Sequence, residues 1–196
     1  MNLVVLFVMG VVLLVAVVAV LVLLRLFYHK LKPGQALVVT SAGGSRQRVT
    51  FTGAVVIPIV QRGDLIDITV RTIEVELDGD RAAVSKDGVR VGVKVFFYIR
   101  VNHTREDVLM VARNFGCERA CDPEAVRAYF HPKLVESVRT VTRQFEFEAL
   151  QSDRERYHDQ LIQFIGRDLN GYVLDDAAVE RVDRAAHNQP ESGPFR

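Results

Sequence analysis

The feature that most constrains the fold is an apolar run near the start of the chain. Every residue from 3 to 24 is apolar except Gly10. As a helix rising ~1.5 Å per residue, this run is roughly 33 Å long, which is close to the hydrocarbon thickness of a bilayer. Lipid requires backbone groups to bond within the segment, so the many valines do not argue against a helix. We therefore predict a transmembrane anchor with its juxtamembrane segment at residues 1–30.

A cleaved signal peptide is the main alternative, and three features oppose it. Residues 1–2 carry no basic side chain, the apolar run exceeds the usual ~7–15 residues, and no small-x-small cleavage site separates the run from the basic residues after it. These basic residues are Arg25, His29, Lys30 and Lys32. The positive-inside rule predicts a single-pass cell-membrane protein with a cytoplasmic C-terminal domain, whereas an inverted anchor would place that domain in the periplasm. The basic cluster is either an ordinary topology determinant or a site for anionic lipids.

Residues 31–182 have the size of one domain, and we predict that its first half is an antiparallel β structure. Alternating runs separated by turn residues predict strands at 36–41, 46–51, 53–60, 64–70 and 71–77. The predicted turns are Pro33-Gly34, Gly43-Gly44, QRGD (61–64) and DGD (78–80). Pro58 suggests an edge or a bulge in the strand that contains it.

The stretch DGVRVGVKVFFYIRV, residues 87–101, predicts the longest strand of this half. From Val89 to Val101 its odd positions are all apolar, and strict alternation indicates one buried face. The second face begins polar but includes Phe96 and Tyr98, so we expect a helix, a loop or the bilayer surface to cover that part of it. Gly92 is the expected site of a β-bulge that lets so long a strand curl.

After the long strand the apolar period changes from 2 to 3.6, which predicts helices. Thr104 begins a capping box, and Gly116 ends the first helix after about residue 114. Asp122-Pro123 begins a second helix, which Pro132 is expected to kink. Ser152 begins another capping box, which opens a third helix.

The second and third helices each have an apolar face at steps of three and four, which we expect to pack inward. These faces are Val126, Phe130, Leu134, Val138, Val141 and Phe145 on the second helix, and Tyr157, Leu161, Phe164, Ile165 and Leu169 on the third. The segment GYVLDDAAVERV (171–182) predicts a final short strand, and residues 183–196 predict a disordered polar tail. The expected fold class is therefore α+β: a transmembrane helix, an antiparallel β-rich half, amphipathic helices and a last short strand.

The sequence contains none of the common catalytic or cofactor-binding motifs, so we predict no enzyme and no catalytic, cofactor-binding or metal-binding residues. No metal-binding spacing relates the five histidines, which are His29, His103, His131, His158 and His187. The pair Asp175-Asp176 lies on a predicted strand, where neighbouring side chains point to opposite faces and do not share a site. A formal net charge of +1 without a clustered basic face gives no indication of nucleic-acid binding.

Cys117 and Cys121, the only two cysteines, bracket the predicted loop between the first two helices of the domain. In a reducing cytoplasm we expect two free thiols. Redox sensing or lipidation is the alternative, and a lone C-x3-C offers too few ligands for structural zinc.

Three segments together resemble one known family. The first, GAVVIPIVQRGDLIDITVRTIEVEL (53–77), is a proline-containing strand followed by a turn and alternating strands. The second, SKDGVRVGVKVFFYIRV (85–101), is similar to the stomatin-type segment KDG-V-x-V-x-V-x-x-Y-x-x-V, and the third, ALQSDRERYHDQLIQFIGRDLNGYVLDD (149–176), is similar to a helix and final strand of bacterial flotillins. With the preceding anchor, the chain resembles the SPFH or band 7 superfamily (stomatin, prohibitin, flotillin) over about residues 32–179, and most closely a bacterial flotillin-like protein.

The resemblance implies a domain that lies against a membrane, has no catalytic residues and assembles into rings or scaffolds that organise membrane microdomains and membrane protein complexes. The implied partners are the lipid bilayer, further copies of the chain or longer flotillin-like paralogues, and other membrane proteins, often a small one with an OB-fold domain. An alternative function is that of an SPFH-type regulator or adaptor of a membrane enzyme such as a protease.

Flotillins continue into a long coiled coil. Here the similarity fails after about Val179, and no heptad run of three or more repeats follows. We therefore expect weaker assembly than that of a full flotillin, as small oligomers or within rings built by a longer paralogue.

Overall fold

The chain's computed structural model describes residues 3–41, 47–55, 61–166 and 168–185. It begins with helix α1 (Leu3–Phe27). The strands of the β-rich half are β1 (Tyr28–Lys30), β2 (Gln35–Ser41), β3 (Gln47–Thr50), β4 (Gly53–Val55), β5 (Gln61–Asp67), β6 (Arg71–Leu77), β7 (Ala83–Val84) and β8 (Arg90–Val101), with a 3-10 turn at Gly79–Arg81. The helical half contains α2 (Arg105–Asn114), α3 (Cys117–Cys121), α4 (Pro123–Thr142), α5 (Phe147–Ser152) and α6 (Arg154–Ile165), followed by strands β9 (Asp168–Leu169) and β10 (Tyr172–Arg184).

The helix predicted at residues 3–24 is confirmed, since α1 contains all of them. Among the residues whose side chains are described, which in α1 are 7–22 and 25, no helix is long and apolar enough to cross a membrane. The predicted span stays a prediction. The predicted turn at Gly43-Gly44, the role of Pro58 and most of the predicted tail lie outside the described residues.

Three antiparallel sheets organise the described strands, and the largest holds the core. Its strand order is β6-β8-β10-β9, with β7 also paired to β8. The second sheet has the order β3-β2-β5, and β1 pairs with β4 in the third. At the centre of the largest sheet Phe97 of β8 lies between Ile73 of β6 and Ala177 of β10. The predicted mixed α and β domain with an antiparallel β-rich half is confirmed.

The core lies between the largest sheet and the helices, as the alternation predicted. Val91, Val93, Val95, Phe97, Ile99 and Val101 of β8 are all buried, and Phe97 is 0% exposed. All six residues predicted for the inward face of α4 and the turn after it are buried as well. On α6 Tyr157 and Leu161 are buried, as predicted, and Ile165 is half-buried against the core. Leu169 is also half-buried against the core, but it belongs to β9 and not to the helix. Phe164 is 50% exposed, so the prediction was wrong for this residue. Phe164 lies in the last turn of α6, because the chain leaves the helix at Gly166, where φ is 78°.

The turn predicted at QRGD was wrong, because these residues begin β5. β5 pairs along its whole length with β2, from Ser41 opposite Gln61 to Gln35 opposite Asp67. In the β2–β5 ladder the backbone N–H and C=O groups bond to each other, whereas in a local turn they would bond to water. Tertiary pairing therefore overrides the turn preference of Gly63-Asp64. The chain instead turns at residues 68–70, between β5 and β6.

The bulges of the largest sheet lie in β10 and not in β8. Its register against β8 shifts between Leu174 and Asp176 and again between Val179 and Arg181, whereas Gly92 is regularly paired. A side chain at Gly92 would lie 3.1 Å from a carboxylate oxygen of Asp78, so close packing explains this glycine. β10 has 13 residues, so the last strand is long and not short. It ends at Arg184, two residues beyond the predicted end of the domain.

Two helix starts were predicted correctly and one was shifted. The Thr104 hydroxyl accepts from the Asp107 N–H at 3.1 Å, and Asp122 caps α4 ahead of Pro123, as expected. Ser152 is not a cap, since it ends α5, and the residue that caps α6 is Asp153. The predicted loop between the cysteines is also wrong, because Cys117–Cys121 forms helix α3.

The turn from β9 to β10 depends on two residues with positive φ. The φ angles are 60° at Asn170 and 92° at Gly171, a combination that favours Asn-Gly in two-residue hairpin turns. A side chain at Gly171 would lie 2.7 Å from the Asp107 carbonyl oxygen of α2. This glycine therefore lets the hairpin approach the first helix of the domain.

Candidate interaction surfaces

The described residues contain no arrangement typical of a metal centre. No group of three or more His, Cys, Asp or Glu side chains in this part of the chain is placed to hold a metal ion. The His103 ring stacks on the Phe51 ring with centroids 5.1 Å apart, which ties the start of α2 to the end of β3. The side chain of His29 and all of His187 lie outside the description.

The acidic pair on β10 is divided between two partners. Asp175 accepts from Arg100 of β8 at 2.7 Å, and Asp176 lies 3.0 Å from Nε2 of His158 on α6. The hydrogen bond that His158 donates to Asp176 raises the pKa of His158, while desolvation opposes this shift. The same bond is the main cause of the lowered pKa of Asp176. This ion pair links α6 to the sheet, and the two carboxylates form no common site.

The two cysteines lie in different environments. Cys117 is half-buried, and burial raises the pKa of its thiol to about 11. Cys121 is exposed, and its thiol donates to the Leu65 carbonyl at 3.3 Å. Both are free thiols, as expected. A thiol that stays protonated is a weak nucleophile and a weak metal ligand, so Cys117 packs as a small apolar group.

The SKDG segment (85–88) joins the β-rich and helical halves through hydrogen bonds. The Ser85 hydroxyl contacts the Asp87 carboxylate and accepts from the Val89 N–H at 3.1 Å. Asp87 also accepts from the Phe147 N–H at 3.2 Å, and the Lys86 N–H donates to the Phe145 carbonyl at 2.8 Å. The Ser85 hydrogen bond lowers the pKa of Asp87, so the carboxylate stays charged. The turn before β8 is thereby fixed to the start of α5.

The face of the largest sheet to which Phe96 and Tyr98 belong also carries a row of charged side chains, which we call the acidic charge row. Lys94 lies 3.3 Å from Glu74 and 3.1 Å from Glu180. Arg181 similarly bridges two carboxylates of β6 and the turn after it, Glu76 at 3.4 Å and Asp78 at 3.0 Å. Phe96 and Tyr98 are only half-buried there. The row has more carboxylates than cations, so this face is acidic.

A groove lies between β6 and the start of α4. It has a volume of about 510 Å³ and runs along residues 69–74. The remaining lining residues are Phe96, Pro123, Glu124, Val126 and Arg127. Arg71 at its inner end is held by Asp67 at 2.9 Å and by the Cys121 carbonyl at 3.1 Å. No sequence pattern predicted this groove, because it arises where a sheet edge meets a helix far along the chain.

Helix α1 presents a continuous apolar surface. All described side chains from 7 to 22 are exposed, and the larger ones are between 45% and 74% exposed. Arg25 and Lys32 of the basic cluster are exposed as well. The turn after Lys32 is tied to the domain, because the Ile68 N–H donates to the Gly34 carbonyl at 2.9 Å.

Comparison with known proteins gives a family for this arrangement. The model of the SPFH domain / Band 7 family matches residues 29–189. The flotillin family inner membrane protein YqiK of Escherichia coli (strain K12) is 29% identical over 164 residues, which cover 81% of this chain and 29% of that protein. The flotillin family inner membrane protein sll1021 of Synechocystis sp. (strain ATCC 27184 / PCC 6803 / Kazusa) is 20% identical over 163 residues, 81% of this chain and 24% of that protein.

The chain thus spans less than a third of the length of these curated relatives. The family match covers the β-rich half, the helices and β10. It includes all three segments on which the resemblance was based. The chain belongs to the SPFH domain / Band 7 family, and it is similar to flotillin family inner membrane proteins.

Proposed function

We propose that the chain is a non-enzymatic scaffold of flotillin type that attaches to a membrane through α1. The observation that carries this proposal is the exposed apolar surface of α1, which is followed by β1 and by a turn hydrogen-bonded to a packed domain. Apolar surface of this extent is normally covered by lipid or protein. The two relatives are inner membrane proteins by name, which supports lipid as the cover.

The finer arrangement that we propose follows the sequence. Residues 3–24 enter the bilayer, the basic residues after them stay on the cytoplasmic side, and the SPFH domain lies in the cytoplasm. Copies of the chain, longer flotillin-like paralogues and other membrane proteins then assemble around the domain. In this role the domain organises membrane regions and performs no chemistry.

Membrane attachment is tested by flotation of the full chain with liposomes. The double substitution Val12→Arg and Val15→Arg places two charges on α1, each costing ~2.5–3.5 kcal/mol at the centre of a bilayer by insertion scales. We expect the unaltered chain to float and the double variant to stay in the dense fraction. The control replaces Val84 on β7 by Arg, which adds a charge at an exposed valine outside α1. Flotation of the double variant to the same extent as the control would refute attachment through α1.

Scaffolding is tested separately, by extracting the full chain in native lipid and measuring its mass and co-extracted proteins. We expect assemblies of several copies that retain other membrane proteins. A monomer that retains none would contradict the scaffold, even if the chain is membrane-attached. A stoichiometric membrane protease would favour the adaptor function instead.

A further inference from the structure

The groove beside β6 is bounded by an open strand edge. β6 pairs with β8 alone among the described strands, from Arg71 opposite Ile99 to Leu77 opposite Val93. No other backbone hydrogen bond joins residues 71–77 to a described segment. Alternate N–H and C=O groups of an edge strand point away from its single neighbour and remain free to pair. The groove therefore offers a strand-shaped space with main-chain donors and acceptors on one wall.

The opposite wall of the groove limits the side chains that fit. The first turns of α4 supply Val126, which is buried, together with the exposed Glu124 and Arg127. Ile73 of β6 is also buried and faces the helices. A strand inserted here meets the first turn of α4 on its helix-facing side, and the groove volume of about 510 Å³ favours small residues there. Glu124 and Arg127 offset each other's charge on this wall.

The strand that already pairs with β6 is β8, and it shows which side chains lie beside β6 on each face of the sheet. β8 places Val93 and Val95 in the core and Lys94 on the acidic face, where its ammonium lies 3.3 Å from Glu74. Glu74 and Glu76 of β6 lie on this face beside the open edge, and each forms an ion pair with a cation of the paired strands, Lys94 and Arg181 respectively. A second strand with basic residues on this face would add cations to a row in which Lys94 and Arg181 are shared among four carboxylates.

A second copy of this chain fits the edge poorly. Pairing two β6 strands would place Glu74 and Glu76 beside the same residues of the other copy. Like charges on adjacent strands are destabilising, so the charge pattern selects against self-pairing.

We propose that β6 binds an extended peptide segment of another protein, with alternating basic and small apolar residues, as an additional strand in the groove along residues 69–74. The main chain of β6 supplies the hydrogen bonds, the excess of carboxylates on the adjoining face favours the basic side chains, and the small apolar ones face the first turn of α4. This mode is strand addition to a sheet edge. It does not depend on membrane attachment, since every residue that it uses belongs to the domain.

The test uses the full chain in detergent micelles and a labelled, end-blocked heptapeptide, Val-Lys-Val-Lys-Val-Lys-Val. We expect saturable binding by fluorescence anisotropy, together with slower amide hydrogen exchange at residues 71–76. A matched peptide whose alternate backbone amides are N-methylated keeps every side chain but cannot complete a ladder. Its affinity should fall by about tenfold or more, because several hydrogen bonds are lost together. A second control replaces every Lys by Glu and should not bind.

Protein variants locate the site. Thr72→Lys adds a cation to the exposed face of β6 without removing an ion pair, and should weaken peptide binding severalfold. Gln151→Lys adds the same charge at an exposed position of α5 and should leave the affinity unchanged. Both variants should keep the melting temperature of the parent chain, which separates loss of binding from loss of fold.

Three results would overturn the proposal. The first is no binding of the heptapeptide at millimolar concentration. The second is equal binding of the N-methylated peptide, or binding without protection of residues 71–76, since either shows charge adsorption without strand addition. The third is protection of the same residues in the absence of peptide as the chain dimerises, since a second copy would then occupy the edge.

Discussion

Among single residues, Thr142 and Tyr157 form the most deeply buried polar contact described. Both are 0% exposed, and their oxygens lie 2.8 Å apart. The Thr142 hydroxyl donates to the Val138 carbonyl at 2.7 Å, so the Tyr157 hydroxyl is the donor of the pair. Burial raises the pKa of Tyr157 to about 12. The sequence predicted Tyr157 as a core residue, but not its partner, because a hydroxyl pair between two helices leaves no periodic signal.

We predict unequal effects from the two halves of this pair. Thr142→Val leaves the Tyr157 hydroxyl buried without an acceptor, which costs about 1–3 kcal/mol. Tyr157→Phe leaves the Thr142 oxygen still bonded to Val138, which costs ~0.5–1.5 kcal/mol. The double variant should lose less stability than the sum of the two. Urea unfolding of the full chain in micelles, followed by circular dichroism, measures all three, and a larger loss in Tyr157→Phe than in Thr142→Val would disprove the assigned donor.

At the scale of elements, sequence patterns predicted those parts that local chemistry determines. Alternation gave β8, and the side chains of Thr104 and Asp122 gave the starts of α2 and α4. The errors occurred where long-range pairing decides, as in β5, whose ladder with β2 overrides a Gly-Asp turn signal. The bulges of β10 and the groove beside β6 depend on strand order, which a single sequence does not contain.

The ion pair between α6 and β10 predicts a stability that depends on pH. The folded pKa of His158 is raised above 6.5, chiefly by Asp176, so this contribution is complete below the unfolded value and is lost as pH rises through the folded value. The lowered pKa of Asp176 gives a contribution that is present above 3.8 and lost as pH falls below it. The pair therefore stabilises the fold between these limits.

The measurement compares melting temperatures of the parent chain and His158→Gln. We expect the parent chain to melt higher than the variant at about pH 5.5, and this difference to shrink toward about pH 8.5 as the imidazole loses its proton. Asp176→Asn should show the same pattern, since it removes the other partner. A parent-to-variant difference that stays constant across this range would show that the bond does not depend on the charge of His158.

At the scale of the whole molecule, α1 and the turn at Gly34 determine how the domain is oriented. The hydrogen bond between Gly34 and Ile68 places the β5–β6 turn next to the segment that leaves α1. Val70 in that turn is 51% exposed, and Val84 on β7 is 39% exposed. Arg71 pairs with Ile99 and Val84 with Arg90, so the two valines lie roughly 30 Å apart along β8 at ~3.3 Å per residue. If α1 is in a bilayer, Val70 belongs to the near end of the domain and Val84 to the far end.

Labels at these two positions test that orientation. In a background with Cys117→Ser and Cys121→Ser, Val70→Cys and Val84→Cys each carry one environment-sensitive fluorophore. In liposomes we expect blue-shifted emission and quenching by lipid-borne quenchers at position 70 only. When the labelled chain is in solution without lipid or detergent, the difference in emission and quenching between positions 70 and 84 should disappear. Equal quenching at both positions would show that the domain does not stand with its β5–β6 turn toward the lipid.

The place of β8 in the strand order has a consequence for synthesis. Its partners β6 and β7 are the two strands before it in the chain, but β10, which pairs with its other edge, begins at Tyr172. A ribosome adds ~5–20 residues per second, so the roughly seventy residues between β8 and β10 take several seconds to emerge. During that interval one edge of the valine-rich strand β8 is unpaired in the nascent chain, and not all of the helices that pack on β8 have been made. Nascent chains halted after residue 150 should therefore bind chaperones that recognise exposed apolar strands, and chains halted after the whole of β10 has left the exit tunnel should release them.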